Sequence, residues 1–157
     1  MTTLGVNSAS DIMWLASAAG DTVAATDPIK LELPTGLEAG RQLAALAEDT
    51  ERVLRALNID NVVILDPEPN NRLTFAQSRR RVTGETLVAL AAARLDRSCD
   101  HLSRRRLRSL LDLPAGGDLS TLSASVIDLP LAPHWKRKRD LAALAALAGE
   151  REIHAAG

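Results

Sequence analysis

Cysteine, aromatic residues and long apolar runs are all scarce in this chain of 157 residues. Cys99 is the only cysteine, which excludes an intramolecular disulfide and any zinc or iron–sulfur site built from several cysteines. Such cysteine usage is typical of a reducing compartment, so we expect a cytoplasmic protein. No stretch approaches the roughly 18 apolar residues of a membrane span, and the first twenty residues lack a signal-peptide pattern. We therefore expect a soluble protein with no membrane partner.

The aromatic residues are limited to Trp14, Phe75 and Trp135, and there is no tyrosine. The apolar fraction of 46% and the charged fraction of 25% are nevertheless those of an ordinary globular domain. The core must therefore consist of Leu, Val, Ile and many Ala residues, which favours helices packed closely against a sheet. We expect one domain over residues 1–148 and a flexible tail over 149–157.

The net charge of −1 conceals two halves of opposite sign. Residues 1–70 contain four Lys or Arg against eleven Asp or Glu, whereas residues 71–157 contain fifteen against nine. The cations of the second half are clustered, which is typical of a surface for nucleic acid or another polyanion. The alternatives are solvated helix faces or a docking face for an acidic protein partner. The residues that we predict to bind nucleic acid are Arg79, Arg80, Arg104, Arg105, Arg106, Arg108, Lys136, Arg137, Lys138 and Arg139.

The first half of the chain has the hydrophobic pattern of three strands, a helix and a further strand. The three strands, over residues 4–7, 11–18 and 22–33, form an antiparallel meander. Thr35 and Glu38 have the spacing of a capping box, so a helix should begin there. The continuous apolar run over residues 62–65 is typical of a strand that is covered on both faces, and we interpret it as the central parallel strand.

The second half continues with helices and one more strand. We predict a helix over residues 73–95, a strand over 98–102 and a brief helix over 104–111 that Ser103 caps. A long connection over 115–133 leads to a final helix that begins near Trp135. The run of cations over residues 136–139 at that helix N-terminus is unfavourable unless an anion lies nearby.

This order of elements resembles the ribonuclease H-like fold, and within it the RuvC-like group of Holliday-junction resolvases. The fold expected is α/β, with three antiparallel strands plus two parallel strands flanked by helices. The resemblance rests on Leu4-Gly5-Val6-Asn7-Ser8, where the family has an LGIDPG-like first strand, and on Val62-Val63-Ile64-Leu65-Asp66, where it has a strand ending in an acid. It also rests on Arg139-Asp140-Leu141-Ala142-Ala143-Leu144-Ala145, where the family has a DADALAIA-like last helix.

The resemblance implies a nuclease that holds two divalent ions, Mg or Mn, with carboxylates from the first strand, the central strand and the last helix. Transferred residue by residue, the metal ligands and catalytic groups are Asn7, Asp66 and Asp140, with Glu68 as a further catalytic candidate. Two departures weaken the match. Asn7 offers a neutral oxygen where the family usually has a carboxylate. Arg137 stands one helical turn before Asp140, where resolvases often have another acid, and its charge opposes metal binding.

The candidate ligands also have structural interpretations. Asp66 before Pro67 is typical of a turn, and Asp140 would stabilise a helix dipole from its first turn. Two functions therefore stay open. The first is a metal-dependent nuclease or junction resolvase with a degenerate active site. The second is a catalytically inactive member of the fold that acts as a binding or assembly module. The resemblance to RuvC-like resolvases further implies a homodimer.

Overall fold

A computed structural model of the chain describes residues 1–9, 11–128 and 133–157. The described residues form a six-stranded sheet with strand order β3-β2-β1-β5-β6, and β4 also pairs with β2. Strand β2 is antiparallel to β1, whereas β5 is parallel to β1 and β6 is parallel to β5. The strands are β1 (Thr3–Ala9), β2 (Ile12–Ala19), β3 (Thr22–Ala24), β4 (Lys30–Glu32), β5 (Asn61–Leu65) and β6 (Ser98–Leu102).

Helices cover both faces of this sheet. On one face, α1 and α2 pack over a core that includes Leu4, Val62 and Ile64, and on the other face α3, α4 and α5 pack over Val63 and Leu65. The alternation along β5 thus confirms that this strand is covered on both sides. The helices are α1 (Ala39–Ala56), α2 (Phe75–Arg94), α3 (Arg104–Leu110), α4 (Leu119–Leu122) and α5 (Asp140–Ala156). Within the described ranges, no helix is long and apolar enough to cross a membrane.

The alanine-rich helix α5 lies unusually close to the sheet. A Cβ atom on Gly5 would lie 1.8 Å from the carbonyl oxygen of Ala142, and one on Gly149 would lie 2.6 Å from Val63 Cγ2. Small residues on both elements therefore allow the backbones to approach, as the scarcity of aromatic residues led us to expect. The alanines of α5 from Ala142 to Ala148 are fully buried.

The predicted final helix and tail are wrong in their boundaries. The helix begins at Asp140, and residues Trp135–Arg139 before it form an irregular turn. The expected flexible tail is helical up to Ala156. Gly149 is a packing residue rather than a helix stop, because its missing side chain makes room for the sheet.

Two predictions in the first half also need correction. The third strand is divided into β3 and β4 because Pro28 lies between them and has no N–H to donate to the ladder. Helix α1 is capped by Glu38, whose side chain accepts from Arg41 N at 3.1 Å, and not by Thr35. Gly36 has a φ of 79°, in the left-handed region, so the backbone there cannot belong to a right-handed helix.

The rest of the prediction is confirmed. Strand β6 has the expected bounds, and Ser103 Oγ caps α3 by accepting from Arg106 N at 3.1 Å. The connection predicted over residues 115–133 contains α4 and a short 3-10 turn, Ser123–Ser125, and its residues 129–132 lie outside the described part. The architecture is the expected ribonuclease H-like one, with an antiparallel part and a parallel part flanked by helices.

Candidate functional site

A cleft of about 710 Å³ opens where β1 and β5 end side by side. The carboxyl ends of neighbouring parallel strands are the usual place for a ligand site in α/β sheets. The charged residues that line this cleft are Glu68, Arg81, Arg104, Asp118 and Arg137. We refer to this space below as the cleft.

Asn7 lies at the floor of the site on the face of β1 that packs against α5. The period of two along β1 places Thr3, Gly5 and Asn7 on that same face. The Asn7 side chain is 2% exposed, and its Nδ2 donates to the carbonyl oxygen of Lys138 at 3.0 Å. The amide thus ties the end of β1 to the irregular turn before α5.

Asp140, the first residue of α5, is completely buried. Its Oδ1 accepts from Lys138 N at 3.0 Å and from Leu141 N at 2.7 Å, and its Oδ2 accepts from Ser120 Oγ. Ser120 Oγ in turn accepts from Arg137 N at 3.1 Å. The anion that the cationic run at this helix start requires is therefore supplied by the Asp140 carboxylate, which satisfies the backbone N–H groups there.

Asp66 and Glu68 follow strand β5 and are partly exposed. Asp66 Oδ1 lies 3.2 Å from Nδ1 of His101, and the backbone carbonyl of Asp66 accepts from Arg104 Nε at 3.1 Å. Glu68 Oε1 lies 3.6 Å from Arg104 Nη1. The sequence analysis did not select His101. Its position one residue before the end of β6, beside the end of β5, is the signal that would have indicated it.

These positions do not fit a two-metal centre. Within the described residues, no group of three or more His, Cys, Asp or Glu side chains could hold a metal ion. Both oxygens of Asp140 accept hydrogen bonds from protein donors. The cleft is also lined by three guanidinium groups, which repel a divalent cation. The assignment of Asn7, Asp66, Asp140 and Glu68 as Mg or Mn ligands stays a prediction, and the experiments below test it.

Arg81, on α2, bridges the ends of strands β1 and β5 by hydrogen bonds. Its Nη1 donates to the carbonyl oxygen of Ser8 at 3.1 Å and its Nη2 to that of Leu65 at 2.9 Å, while its Nε lies 2.9 Å from Glu85 Oε1. Glu85 also accepts from Ser8 Oγ at 2.9 Å. Arg81 therefore shapes one wall of the cleft through internal contacts.

Arg104 and Arg108, on α3, are also held by backbone oxygens. Burial lowers the pKa of Arg104 below its ordinary value; Glu68 opposes this shift, and the nearby charges of Arg81 and Arg108 add to it. Arg108 donates to the carbonyl oxygens of Pro114, Gly116 and Gly117 at 2.6–3.0 Å, so it orders the loop that follows α3.

The other cations predicted to bind nucleic acid fall into three groups. Arg80 and Arg106 are exposed but form ion pairs with Asp11 and Glu152. Lys138 Nζ lies 5.4 Å from the centre of the buried Trp14 ring, and Arg139 is 2% exposed and donates to the carbonyl oxygen of Pro133. A role for Arg139 in nucleic-acid contact is at odds with this burial. Among these predicted cations, Arg79, Arg105 and Lys136 are exposed and make no side-chain hydrogen bond or ion pair in the part of the chain described.

Helix α2 exposes apolar side chains on its outer surface. Phe75, Val82 and Leu90 are 82%, 61% and 48% exposed. Spacings of seven and eight residues place all three on one face of the helix. Arg79, four residues after Phe75 and three before Val82, lies on this same face.

Comparison with solved structures identifies the fold. No protein-family model matches the chain, and the curated proteins give no significant match. The Thermus thermophilus RuvC structure is similar with a TM-score of 0.75 and 11% identity, covering 99% of this chain and 97% of that one. RuvC of T. thermophilus in complex with a Holliday junction substrate gives 0.73 and 12%, covering 99% and 96%. The yeast mitochondrial Holliday junction resolvase Ydc2 gives 0.60 and 11%, covering 95% and 77%. The expected resemblance to RuvC-like proteins is thus confirmed for the fold.

Proposed function

We propose that this chain is a nucleic-acid-binding protein with the RuvC fold that holds its ligand without hydrolysing it. The observation that supports this most directly is the charge of the cleft. Arg81, Arg104 and Arg137 line it at the strand ends, where hydrolysis with two metal ions would need several free carboxylates.

The chemistry of the polar groups favours binding over cleavage. Divalent ions such as Mg require anionic or carbonyl oxygens that are free to coordinate, and the Asp140 oxygens are occupied by internal donors. A guanidinium group, by contrast, binds a phosphate directly through two parallel hydrogen bonds. A cleft lined by arginines therefore suits a phosphodiester that is bound and left intact.

Further exposed cations would extend this surface. Arg105 and Lys136 are exposed and available for phosphate contacts, which position a nucleic acid without reading its sequence. RuvC of T. thermophilus has been solved in complex with a Holliday junction substrate. Branched DNA is therefore the first ligand to test, with duplex DNA, single strands and RNA beside it.

The binding experiment is a titration of labelled nucleic acids followed by fluorescence anisotropy at several salt concentrations. We expect affinity to fall steeply with salt, with a log–log slope of about −0.9 per phosphate contacted on duplex DNA. The variant Arg105→Glu should weaken binding to all sequences alike. The same change at Arg52, an exposed residue of α1 on the opposite sheet face, is the control. Absence of binding at low salt would overturn the proposal.

A cleavage assay with Mg and Mn decides between the binding module and the nuclease. We expect no product from the wild-type chain. Metal-dependent cleavage that is lost in Asp66→Asn or Glu68→Gln would instead establish the nuclease that the sequence resemblance implies. These two side chains are exposed, so their replacement tests chemistry without disturbing the core.

We further propose that the chain forms a homodimer through the apolar face of α2. Exposed Phe75, Val82 and Leu90 would be covered by a second copy, as contiguous apolar surface usually is. Light scattering at tens of micromolar should give about twice the chain mass of 16.8 kDa. The double variant Phe75→Asp, Val82→Asp should return the mass to that of one chain. A wild-type mass near 16.8 kDa would contradict the dimer.

Two smaller proposals complete the assignment. If no nucleic acid binds, an acidic protein partner is the alternative ligand for the same cationic surface. The single cysteine remains the reason to propose a reducing compartment such as the cytoplasm.

A further inference from the structure

Two ion pairs inside the cleft are long and exposed to water. Arg104 Nη1 lies 3.6 Å from Glu68 Oε1, and Arg137 Nη2 lies 3.8 Å from Asp118 Oδ2. The side chain of Glu68 is 62% exposed and that of Arg137 is 71% exposed. Ion pairs of this kind contribute little to stability, so another anion can replace the carboxylates easily.

Arg104 is held in place before any ligand arrives. Its Nε donates to the carbonyl oxygen of Asp66 at 3.1 Å, and its side chain is only 16% exposed. The Nη groups remain on the side that faces Glu68. Because the guanidinium orientation is already fixed, little side-chain freedom is lost when an anion binds there.

Arg137 is presented by a backbone that the buried network holds in an uncommon conformation. Its φ of 56° lies in the left-handed region, which is unfavourable for a residue with a side chain. Its N–H donates to Ser120 Oγ, and Ser120 donates to the buried Asp140 carboxylate. The network of Asp140 and Ser120 therefore fixes the turn from which Arg137 reaches the cleft.

We propose that Arg104 and Arg137 together bind one phosphate group of a nucleic-acid strand in the cleft, and that Glu68 and Asp118 are internal counter-ions that this phosphate displaces. The inference rests on the proposed nucleic-acid-binding function and adds the position of the bound strand. Two long ion pairs are exchanged for charge-assisted hydrogen bonds of about 2.7–2.9 Å. No metal ion is needed, so binding should persist in a chelator.

A second cavity gives the strand a path out of the cleft. This cavity has a volume of about 680 Å³ and shares Glu68 and Arg104 with the cleft. It is also lined by Arg105, Leu113 and Leu119, a mixture of charge and apolar surface that suits the next nucleotide of a strand. An oligonucleotide should therefore bind more tightly than inorganic phosphate or a mononucleotide.

The test measures the affinity for a labelled oligonucleotide by fluorescence anisotropy in the presence of a chelator. It compares variants that remove a negative charge from the cleft with a variant that removes a positive charge. Glu68→Gln and Asp118→Asn remove the counter-ions, so each should tighten binding severalfold. Arg137→Gln removes a phosphate contact, so it should weaken binding about tenfold and reduce the salt slope by about 1. The matched controls are Asp49→Asn and Arg52→Gln, which make the same charge changes in an exposed ion pair on α1.

The possible outcomes distinguish a failure of the proposed phosphate site from a failure of the proposed nucleic-acid-binding function. If the wild-type chain binds but the cleft variants differ no more than their controls on α1, the site is wrong and the nucleic-acid-binding function stands. If the wild-type chain does not bind at low salt, both fail. If inorganic phosphate competes as well as an unlabelled oligonucleotide at equal concentration, the ligand is a free phosphate, and the assignment to a strand is overturned.

Discussion

The two ends of strand β1 satisfy their charged groups in opposite ways. At the first end, Glu150 is 1% exposed and accepts from Thr3 Oγ1 at 2.5 Å and from Gly20 N at 2.9 Å. At the other end, beyond Asn7, the cleft contains exposed charges whose ion pairs are 3.6 and 3.8 Å long. At the first end the buried Glu150 carboxylate is fully engaged by internal donors. At the second end the charged side chains of the cleft are accessible to a ligand. We call them the closed end and the open end.

The difference has its origin in the single segment that packs along β1. Helix α5 runs antiparallel to β1, so that Glu150 meets Thr3, Ala142 meets Gly5 and the turn at Lys138 meets Asn7. The helix is regular over the closed end. At the open end an irregular turn replaces it, and this turn presents Arg137 to the cleft.

The largest effect on stability is expected from Gly5→Ala, which should disrupt the packing of α5 on β1 at the closed end and at the open end. The added Cβ would lie 1.8 Å from the carbonyl oxygen of Ala142, so α5 must move away from β1. Overpacking of this severity should lower the free energy of unfolding by about 3 kcal/mol or more. Chemical denaturation measures the loss. Gly116→Ala is the control, because no atom of residues 1–9, 11–128 or 133–157 obstructs the added Cβ within 4 Å. A fully stable Gly5→Ala chain would mean that α5 does not couple the two ends.

A smaller effect is expected at the closed end alone. Glu150→Ala leaves Thr3 Oγ1 and the Gly20 N–H without their acceptor, which should cost about 2–3 kcal/mol of unfolding free energy. Nucleic-acid affinity of the folded variant should be unchanged, because the open end is intact. The control is Glu152→Ala, which removes an exposed ion pair with Arg106. An equal loss of unfolding free energy in the two variants would contradict the conclusion that the buried Glu150 carboxylate stabilises the closed end.

Regular patterns and local capping predicted most of the fold from the sequence. Ser103 and the apolar run of β5 were sufficient because their effects are local or follow a simple period. The prediction ended the last helix at residue 148, whereas α5 continues through Gly149 to Ala156. Gly149 packs against Val63, 86 residues away in the sequence, and a local pattern does not show such a long-range contact.

The candidate site was less predictable, for a comparable reason. Asp66, Asp140 and Asn7 were selected by position along the chain, but their side-chain partners come from distant segments. Asp140 is engaged by Ser120, within a connection that has no strong periodic pattern, and Asp66 by His101. The sequence located the cations as clusters of charge. It could not separate the buried Arg139 from the exposed Arg105, because burial depends on the fold.

A moderate effect is expected at the open end from Asn7→Asp. The carboxylate cannot donate to the Lys138 carbonyl, so the unfolding free energy should fall by about 1–2 kcal/mol. Calorimetric titration with manganese should show no gain in affinity. Asn71→Asp, the same change at an exposed residue of the cleft, is the control. A gain in affinity for Asn7→Asp alone, with metal-dependent stabilisation, would show that residue 7 shares a metal site with Asp66 and Asp140. The open end would then be a degenerate metal centre.

The smallest effect on stability at neutral pH concerns Cys99, which lies beside Val62 near the closed end. Burial above all, with the charges of Asp100 and Glu85, raises the pKa of its thiol from 9.0 to about 11. Only the thiolate reacts with iodoacetamide, so at pH 8 the folded chain should be alkylated about 100-fold more slowly than the unfolded chain.

The raised pKa of Cys99 also fixes the sign of a pH dependence. Because the folded state holds the thiol proton more tightly, the thiol's contribution to stability is complete below pH 9 and is lost as the pH rises towards about 11. The chain has no tyrosine, so few other groups titrate in this window. The melting temperature should therefore fall more between pH 9 and 11 for the wild-type chain than for Cys99→Ser. Two results together would contradict this prediction: alkylation of the folded chain at the rate of the unfolded chain, and the same pH profile of the melting temperature for wild type and Cys99→Ser. They would show that the β6 edge of the sheet opens to solvent and that burial of Cys99 does not stabilise the closed end.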